Sequence, residues 1–264
     1  MDKENTPMSA QVVRTEIVED HIAVVTIDNP PVNAHSIQVL DEIMTTFDTL
    51  SDRVEVRVVV LTGAGKVFCA GADLKAIAAG QAGDLQTKRG GFAGIATRER
   101  TKPLIAAVDG PALAGGTEIV LSCDLVVAST AARFGIPEVK RSLVAAAGGL
   151  FRLPRALPLN VAMEAALTGD PITAERAAHF GLVNELVEPG KAKEAALALA
   201  DRIGANAPMA VRESRKVVLA ALRDNDDELW KITGQAMAKV VSSEDFNEGP
   251  RAFIEKRAPQ WKGR

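Results

Sequence analysis

The run "EVRVVVLTG" (Glu55 to Gly63) leaves the chain little choice. It is short, apolar and rich in β-branched residues, with no alternation to mark a wet side, so it reads as a strand buried on both faces. "PLIAAVDG" (Pro103 to Gly110) reads as another buried strand, and "DLVVAS" (Asp124 to Ser129) as a further one. "HIAVVTI" (His21 to Ile27) joins Gln11 to Ile17 through "VEDH" and opens the series. Helical segments separate them: "IQVLDEIMTTFDTL" with Ser36 as N-cap, a helix starting near Asp73, and "GGTEIVLSC". Strands precede Ile37, precede Leu74 and flank Glu118. This rhythm predicts repeated ββα turns rather than a plain βαβ sheet. The Gly-rich, polar stretch Ala79 to Gly91 reads as a mobile loop. After Leu157 the pattern is strongly helical, with "GLVNELV" as the one short strand and "DELWKITGQAMAKVVSSEDFNEGPRAFIEKR" as the last helical stretch. The expected class is α/β, with a ββα core over residues 1–198 and a helical region over 199–264.

A hydrophobic content of 47% in 264 residues supplies a large core. The net charge of -3 counts against sequence-independent nucleic-acid binding. Cys69 and Cys123 form no CxxC pair and read as inert thiols in a reducing compartment. The N-terminal "MDKENTPMSA" lacks the apolar core of a signal peptide, and no apolar run reaches the roughly eighteen residues of a membrane span. The terminal "WKGR" is not a peroxisomal address. A cytoplasmic protein without membrane or nucleic-acid partners is expected. His21, His35 and His179 have no partner at metal spacing, so no metal is expected. His35 can line a pocket, although a plain loop residue is the simpler reading. No complete dinucleotide fingerprint, P-loop or GxSxG elbow is present.

Two places share a design. In "FCAGAD", small residues Ala70, Gly71 and Ala72 precede a helix start at Asp73; in "LAGGTE", Ala114, Gly115 and Gly116 precede the helix holding Glu118. Free N–H groups at such starts can converge into an oxyanion hole, with missing side chains leaving room for a ligand. Tight helix–strand packing would demand the same small residues. Glu118 in a first helical turn also suits the helix dipole, and Glu138, after the rigid "GIP" turn, could be a surface acid. Together beside an oxyanion hole, the two carboxylates could hold a water and move protons.

The order and spacing of "PPVNA", "FCAGADLKAI", "AAVDGPALAGGTEIVLSCDLVVAS", "FGIPEVKRSLVAAAGGLFRLPR", "GLVNELV" and "EGPRAFIEKRAPQW" closely resemble the enoyl-CoA hydratase (crotonase) family, from about Val12 to Arg264. The resemblance implies a spiral of ββα turns with a C-terminal helical region used in trimerisation, and a homotrimer or dimer of trimers. It implies that Ala72 and Gly115 supply the oxyanion-hole N–H groups for a thioester carbonyl, and that Glu118 and Glu138 are the acids that activate water. It places Ala34, Ala70, Asp73, Leu74 and Lys75 along the CoA channel, and Phe253 and Lys256 where C-terminal residues touch CoA, from a neighbouring subunit in some relatives. The implied reaction is reversible hydration of a trans-2-enoyl-CoA in acyl-CoA degradation, with no cofactor beyond the CoA of the substrate. Isomerisation, dehydration of a functionalised acyl-CoA and binding with weak turnover are the alternatives. One departure is Ala145-Ala146-Ala147 before Gly148-Gly149, where the family reads Pro-Gly or Pro-Asp. Alanine keeps the Ala146 N–H that the family uses to orient water.

Overall fold

The computed structural model describes residues 10–264; the rest of the N-terminal "MDKENTPMSA" lies outside them. The expected buried strands form a six-stranded sheet. β1 (Val13–Val18) pairs antiparallel with β2 (Ile22–Ile27), followed by β3 (Val58–Gly63). β4 (Gln86–Thr87) and β5 (Gly91–Phe92) make a separate small ribbon. β6 (Leu104–Val108), β8 (Leu125–Ser129) and β11 (Glu185–Val187) then extend the main sheet in parallel, giving the order β1-β2-β3-β6-β8-β11. Both faces are covered. Val25, Ile27, Val59, Leu61, Leu104 and Ala106 point into the larger core, while Val24, Val58, Val60, Ile105, Ala107 and Val127 point the other way. That two-sided burial is why these runs show no polar alternation.

Short strands beyond the main ones build a second layer. β7 (Ala112–Leu113), β9 (Arg133–Gly135) and β10 (Ile172–Thr173) form a small sheet, in the order β10-β9-β7. Single bridges Cys69↔Ala112 and His35↔Ala72 continue it back to the first turn. Each turn therefore runs main strand, short rung, helix: α1 (Ile37–Asp52), α2 (Leu74–Ala78) and α3 (Gly115–Val120) come after successive rungs. This is the expected ββα spiral. Ser36 caps α1 as predicted, its side chain accepting from the Val39 N–H.

Three expectations change. The stretch Ala79 to Gly91, expected as a mobile loop, carries a 3₁₀ turn (Ala82–Leu85) and the β4–β5 ribbon that fold it back, with Leu85 buried. The 198/199 boundary falls inside α7 (Ala192–Gly204), which buries Ala192, Ala196, Ala200 and Gly204. Ala196 and Ala200 pack in the core on the second face of the sheet. Repeated small residues at a four-residue spacing let this helix lie close to the strands, so the change of architecture comes after Gly204. The last helical stretch is two helices, α9 (Asp226–Val241) and α10 (Asp245–Glu255), preceded by α8 (Pro208–Ala220). Asp245 is buried and accepts the Lys262 and Gly263 N–H groups at 2.7 and 2.8 Å, tying the chain end back across the break. No helix of the described residues is long and apolar enough to cross a membrane.

Candidate active site

The second layer brings the two small-residue turns together. The first and second turns are zipped by Ala70 N–H to the Val32 carbonyl (3.0 Å), His35 N–H to the Gly71 carbonyl (2.8 Å) and Asp73 N–H to the His35 carbonyl (3.0 Å). Because neighbouring backbone groups point to opposite sides, the Ala72 N–H faces away from His35. The Cys69 carbonyl accepts from Leu113 N–H at 2.9 Å and joins the second turn to the third. Gly71 has φ +97° and lies against Ala114 and Gly115: a Cβ there would sit 2.8 Å from the Ala114 Cβ and 3.0 Å from the Gly115 nitrogen. The Gly115 N–H opens α3 and so has no partner within its helix. Ala114 precedes it at φ +52°, a strained setting for alanine of the kind that clusters at functional sites.

The two glycines of "AGG" have different work. A Cβ on Gly116 would lie 2.2 Å from the Cys69 carbonyl oxygen, so Gly116 is there for close helix–strand packing. A Cβ on Gly115 would instead meet the Phe92 ring at 2.4 Å, a side chain and not backbone. Thr117 locks the helix start: its single O–H lies within donating distance of the Ala112 and Gly135 carbonyls, and its oxygen accepts from the Gly135 N–H.

Glu118 is 4% exposed. Its Oε1 accepts from the Gly149 N–H at 2.9 Å, and Gly149 is the first residue of α4 (Gly149–Ala156). The carboxylate thus satisfies orphan donors of a helix other than its own, which is how a charge is tolerated there. Burial raises its pKa, opposed by the backbones of Gly149 and Ala147 and the charge of Arg152. The departure at Ala145-Ala146-Ala147 therefore leaves a loop whose last backbone groups hold Glu118. Gly148 at φ +109° turns this loop into α4.

Glu138 stands on a 3₁₀ turn (Pro137–Arg141) against α5 (Leu159–Thr168), next to the αL glycine Gly169. Burial raises its pKa, and the charge of Glu118 raises it further. Its Oε2 is buried with no protein partner among the described residues. The pair is asymmetric: Glu118 is held by donors, while Glu138 has this buried oxygen and a carboxylate neighbour. Burial raises both carboxyls, and the charge of Glu118 adds to the rise at Glu138, against its own backbone N–H and the charge of Arg141.

The residues expected along the CoA channel divide. Ala34 and Ala70 are half-buried on the zipped loops, and Asn29 Nδ2 donates to the Ala34 carbonyl at 2.7 Å. Asp73 caps α2, accepting the Lys75 N–H at 2.8 Å, with Leu74 and Lys75 exposed beside it. Phe253, 86% exposed, and Lys256 lie at the end of α10, and no hydrogen bond or ion pair joins them to this group. Asn33 and Phe92 escaped the sequence reading. Buried Asn33 donates to the Ala64 and Val67 carbonyls at 2.9 and 2.7 Å and sets the first loop on the second. A lone aromatic between glycines in "RGGFAG" was the available sign for Phe92. His35 is a loop residue as read, and it is buried; both thiols are pushed up to about 12 by burial. No group of three metal-ligating side chains occurs among the described residues.

Residues 18–264 match the model of the family described as Enoyl-CoA hydratase/isomerase. The chain is 42% identical over 255 residues to enoyl-CoA hydratase EchA19 of Mycobacterium tuberculosis, covering 92% of this chain and 94% of the relative. It is 38% identical over 244 residues to carnitinyl-CoA dehydratase of Proteus mirabilis, covering 90% and 94%. A crystal structure of an enoyl-CoA hydratase from Mycobacterium tuberculosis superposes with a TM-score of 0.92 at 45% identity, covering 96% of this chain and all of that one.

Proposed function

The chain belongs to the enoyl-CoA hydratase/isomerase family, and from that premise we propose that it adds water reversibly across the double bond of a trans-2-enoyl-CoA. The carrying observation is the buried Oε2 of Glu138, without a partner among the described residues, on a carboxyl that feels the charge of Glu118, with the Ala72 and Gly115 donors on adjoining turns. The thioester carbonyl accepts from the N–H groups of Ala72 and Gly115. Glu118 takes a proton from water as its oxygen bonds to the β carbon. The double-bond electrons move to the thioester as an enolate, stabilised by those two N–H groups, and Glu138 delivers its proton to the α carbon. The reverse sequence dehydrates a 3-hydroxyacyl-CoA. Because 38% identical relatives are named carnitinyl-CoA dehydratase, dehydration of a functionalised acyl-CoA is the second reading.

A panel of enoyl-CoAs of graded chain length, with carnitinyl-CoA and a 3-enoyl-CoA, separates these readings. Hydration removes the absorbance of the conjugated thioester; activity on carnitinyl-CoA alone, or on the 3-enoyl-CoA alone, would replace the hydratase reading. Ala34, Ala70, Asp73, Leu74 and Lys75 are assigned to the CoA moiety, with Lys75 meeting its phosphates. Free CoA should then inhibit competitively, and less as salt rises; inhibition indifferent to salt would remove Lys75 from that role.

The same proposal includes a trimer or a dimer of trimers. Val218, Leu222, Trp230, Met237 and Val241 are exposed on and beside α8 and α9, and Phe253 and Ile254 on α10, apolar side chains of the kind that interfaces cover. Phe253 and Lys256 would then reach the CoA of a neighbouring subunit. Light scattering should return three or six times the chain mass of 27.9 kDa; a stable monomer at micromolar concentration contradicts the assembly.

A further inference from the structure

His35 is 1% exposed and its backbone is fixed on both sides, by Gly71 and Asp73, so the imidazole is held at the rung that carries Ala72. Its only aromatic neighbour among the described residues is Phe92, met edge-on at 5.5 Å between ring centroids and 63° between planes. Phe92 in turn lies where a side chain on Gly115 would go. The imidazole therefore stands one ring away from an oxyanion-hole residue. Neither Nδ1 nor Nε2 has a hydrogen-bond partner among the described residues. Leaving buried polar atoms unmatched is more costly than an apolar side chain of similar shape, so a general packing role does not account for histidine here.

We propose that His35 is a specificity-determining residue, forming a polar subsite in the acyl pocket that recognises a hydroxyl group carried on the acyl chain of the CoA ester. The inference rests on the thioester carbonyl lying at Ala72 and Gly115. The Phe92 ring stands between the Gly115 backbone and the imidazole, so an acyl chain that reaches His35 from the Gly115 N–H must displace that ring. Burial lowers the His35 pKa to about 3, so the ring is neutral and offers one N–H donor and one lone pair. A hydroxyl can serve either ring nitrogen, accepting from the N–H or donating to the lone pair, and brings no charge. A carboxylate or an ammonium group meets only one of them and brings an unpaired charge into an apolar wall.

The test uses saturated ligands, which bind without turnover: octanoyl-CoA and its 6-, 7- and 8-hydroxy derivatives, whose hydroxyls are too remote to close small lactones. Calorimetry on the wild type should show at least one hydroxylated ester binding about ten-fold more tightly than octanoyl-CoA, the size of one well-made buried hydrogen bond. His35→Leu should bring the four ligands to parity without weakening octanoyl-CoA or lowering Tm, and His35→Gln, which keeps a donor and an acceptor, should retain part of the preference. Equal affinities in the wild type would overturn the proposal. So would a His35→Leu variant that weakens all four ligands alike or melts earlier, since the imidazole would then be a structural group. Failure of octanoyl-CoA itself to bind would instead remove the acyl-CoA reading on which the subsite rests.

Discussion

Glutamine at Glu118 or at Glu138 is expected to lower kcat for enoyl-CoA hydration by about 10²–10⁴-fold, the range of a positioned acid or base, with acyl-CoA affinity retained. At Glu118 the amide oxygen can still accept from Gly149, so the α3–α4 junction survives and only the proton acceptor is lost. At Glu138 the buried oxygen remains but the transferable proton does not. Thermal stability should move the other way. Burial raises the Glu118 carboxyl in the folded protein, so at neutral pH folding holds an ionised Glu118 where burial favours the neutral form. A raised carboxyl binds more protons folded than unfolded, and its stability contribution falls as pH climbs from the ordinary glutamate range through the folded value. Glu118→Gln should therefore melt above the wild type at pH 7, and this advantage should vanish as pH falls into the ordinary glutamate range. Wild-type turnover in either variant removes that residue from the mechanism; a Glu118→Gln protein that melts lower at pH 7 shows that Glu118 is there for the fold.

Gly116→Ala is expected to damage the site from beneath. The added methyl would lie 2.2 Å from the Cys69 carbonyl oxygen and 2.9 Å from its carbon, both backbone atoms that cannot rotate away. α3 must lift off the second-turn rung, carrying the Gly115 N–H with it. Losing one oxyanion donor typically lowers kcat by about 10²–10³-fold. Overpacking of this kind costs about 1–3 kcal/mol, or a Tm lower by several degrees in a chain of this size. A Cβ on Gly115 crowds the Phe92 ring at 2.4 Å and reaches backbone only at the Gly71 Cα, 3.4 Å away, so Gly115→Ala should lower Tm less than Gly116→Ala. Gly83→Ala faces open space without a positive φ and serves as the control. A Gly116→Ala enzyme with wild-type kcat and Tm would show that α3 can move without disturbing the hole.

Much of the scaffold was legible because it depends on local pattern. Val58 to Leu61 and Leu104 to Val108 lie in the sheet as read, since a strand covered on both faces leaves an unmistakable apolar run. Ser36 was readable as a cap because its partner, Val39, is three residues away. The turns within Ala79 to Gly91 escape a local reading because they are held by distant contacts, such as Thr87 with Met44 and Arg89 with Asp48 on α1. The break before α10 was missed because Asp245 is held by residues at the chain end, 17 and 18 positions on.

The sequence by itself determined which residue types are available for chemistry: two glutamates, two small-residue turns, and no paired cysteines or histidines at metal spacing. It also determined, through its apolar runs, that parallel-type strands buried on both faces would carry them. Only the tertiary structure decided what each residue answers to. Glu118 is matched by the N-terminus of α4 and not by its own helix, because the chain folds Gly149 back across a separation of 31 residues. Gly115 and Gly116, adjacent and alike in sequence, part company because one faces the Phe92 ring and the other the Cys69 carbonyl. His35 becomes a buried imidazole, without a hydrogen-bond partner among the described residues, only when the first two turns are zipped together. These distinctions arise from contacts between successive turns of the spiral, and local spacing along the chain carries no record of them.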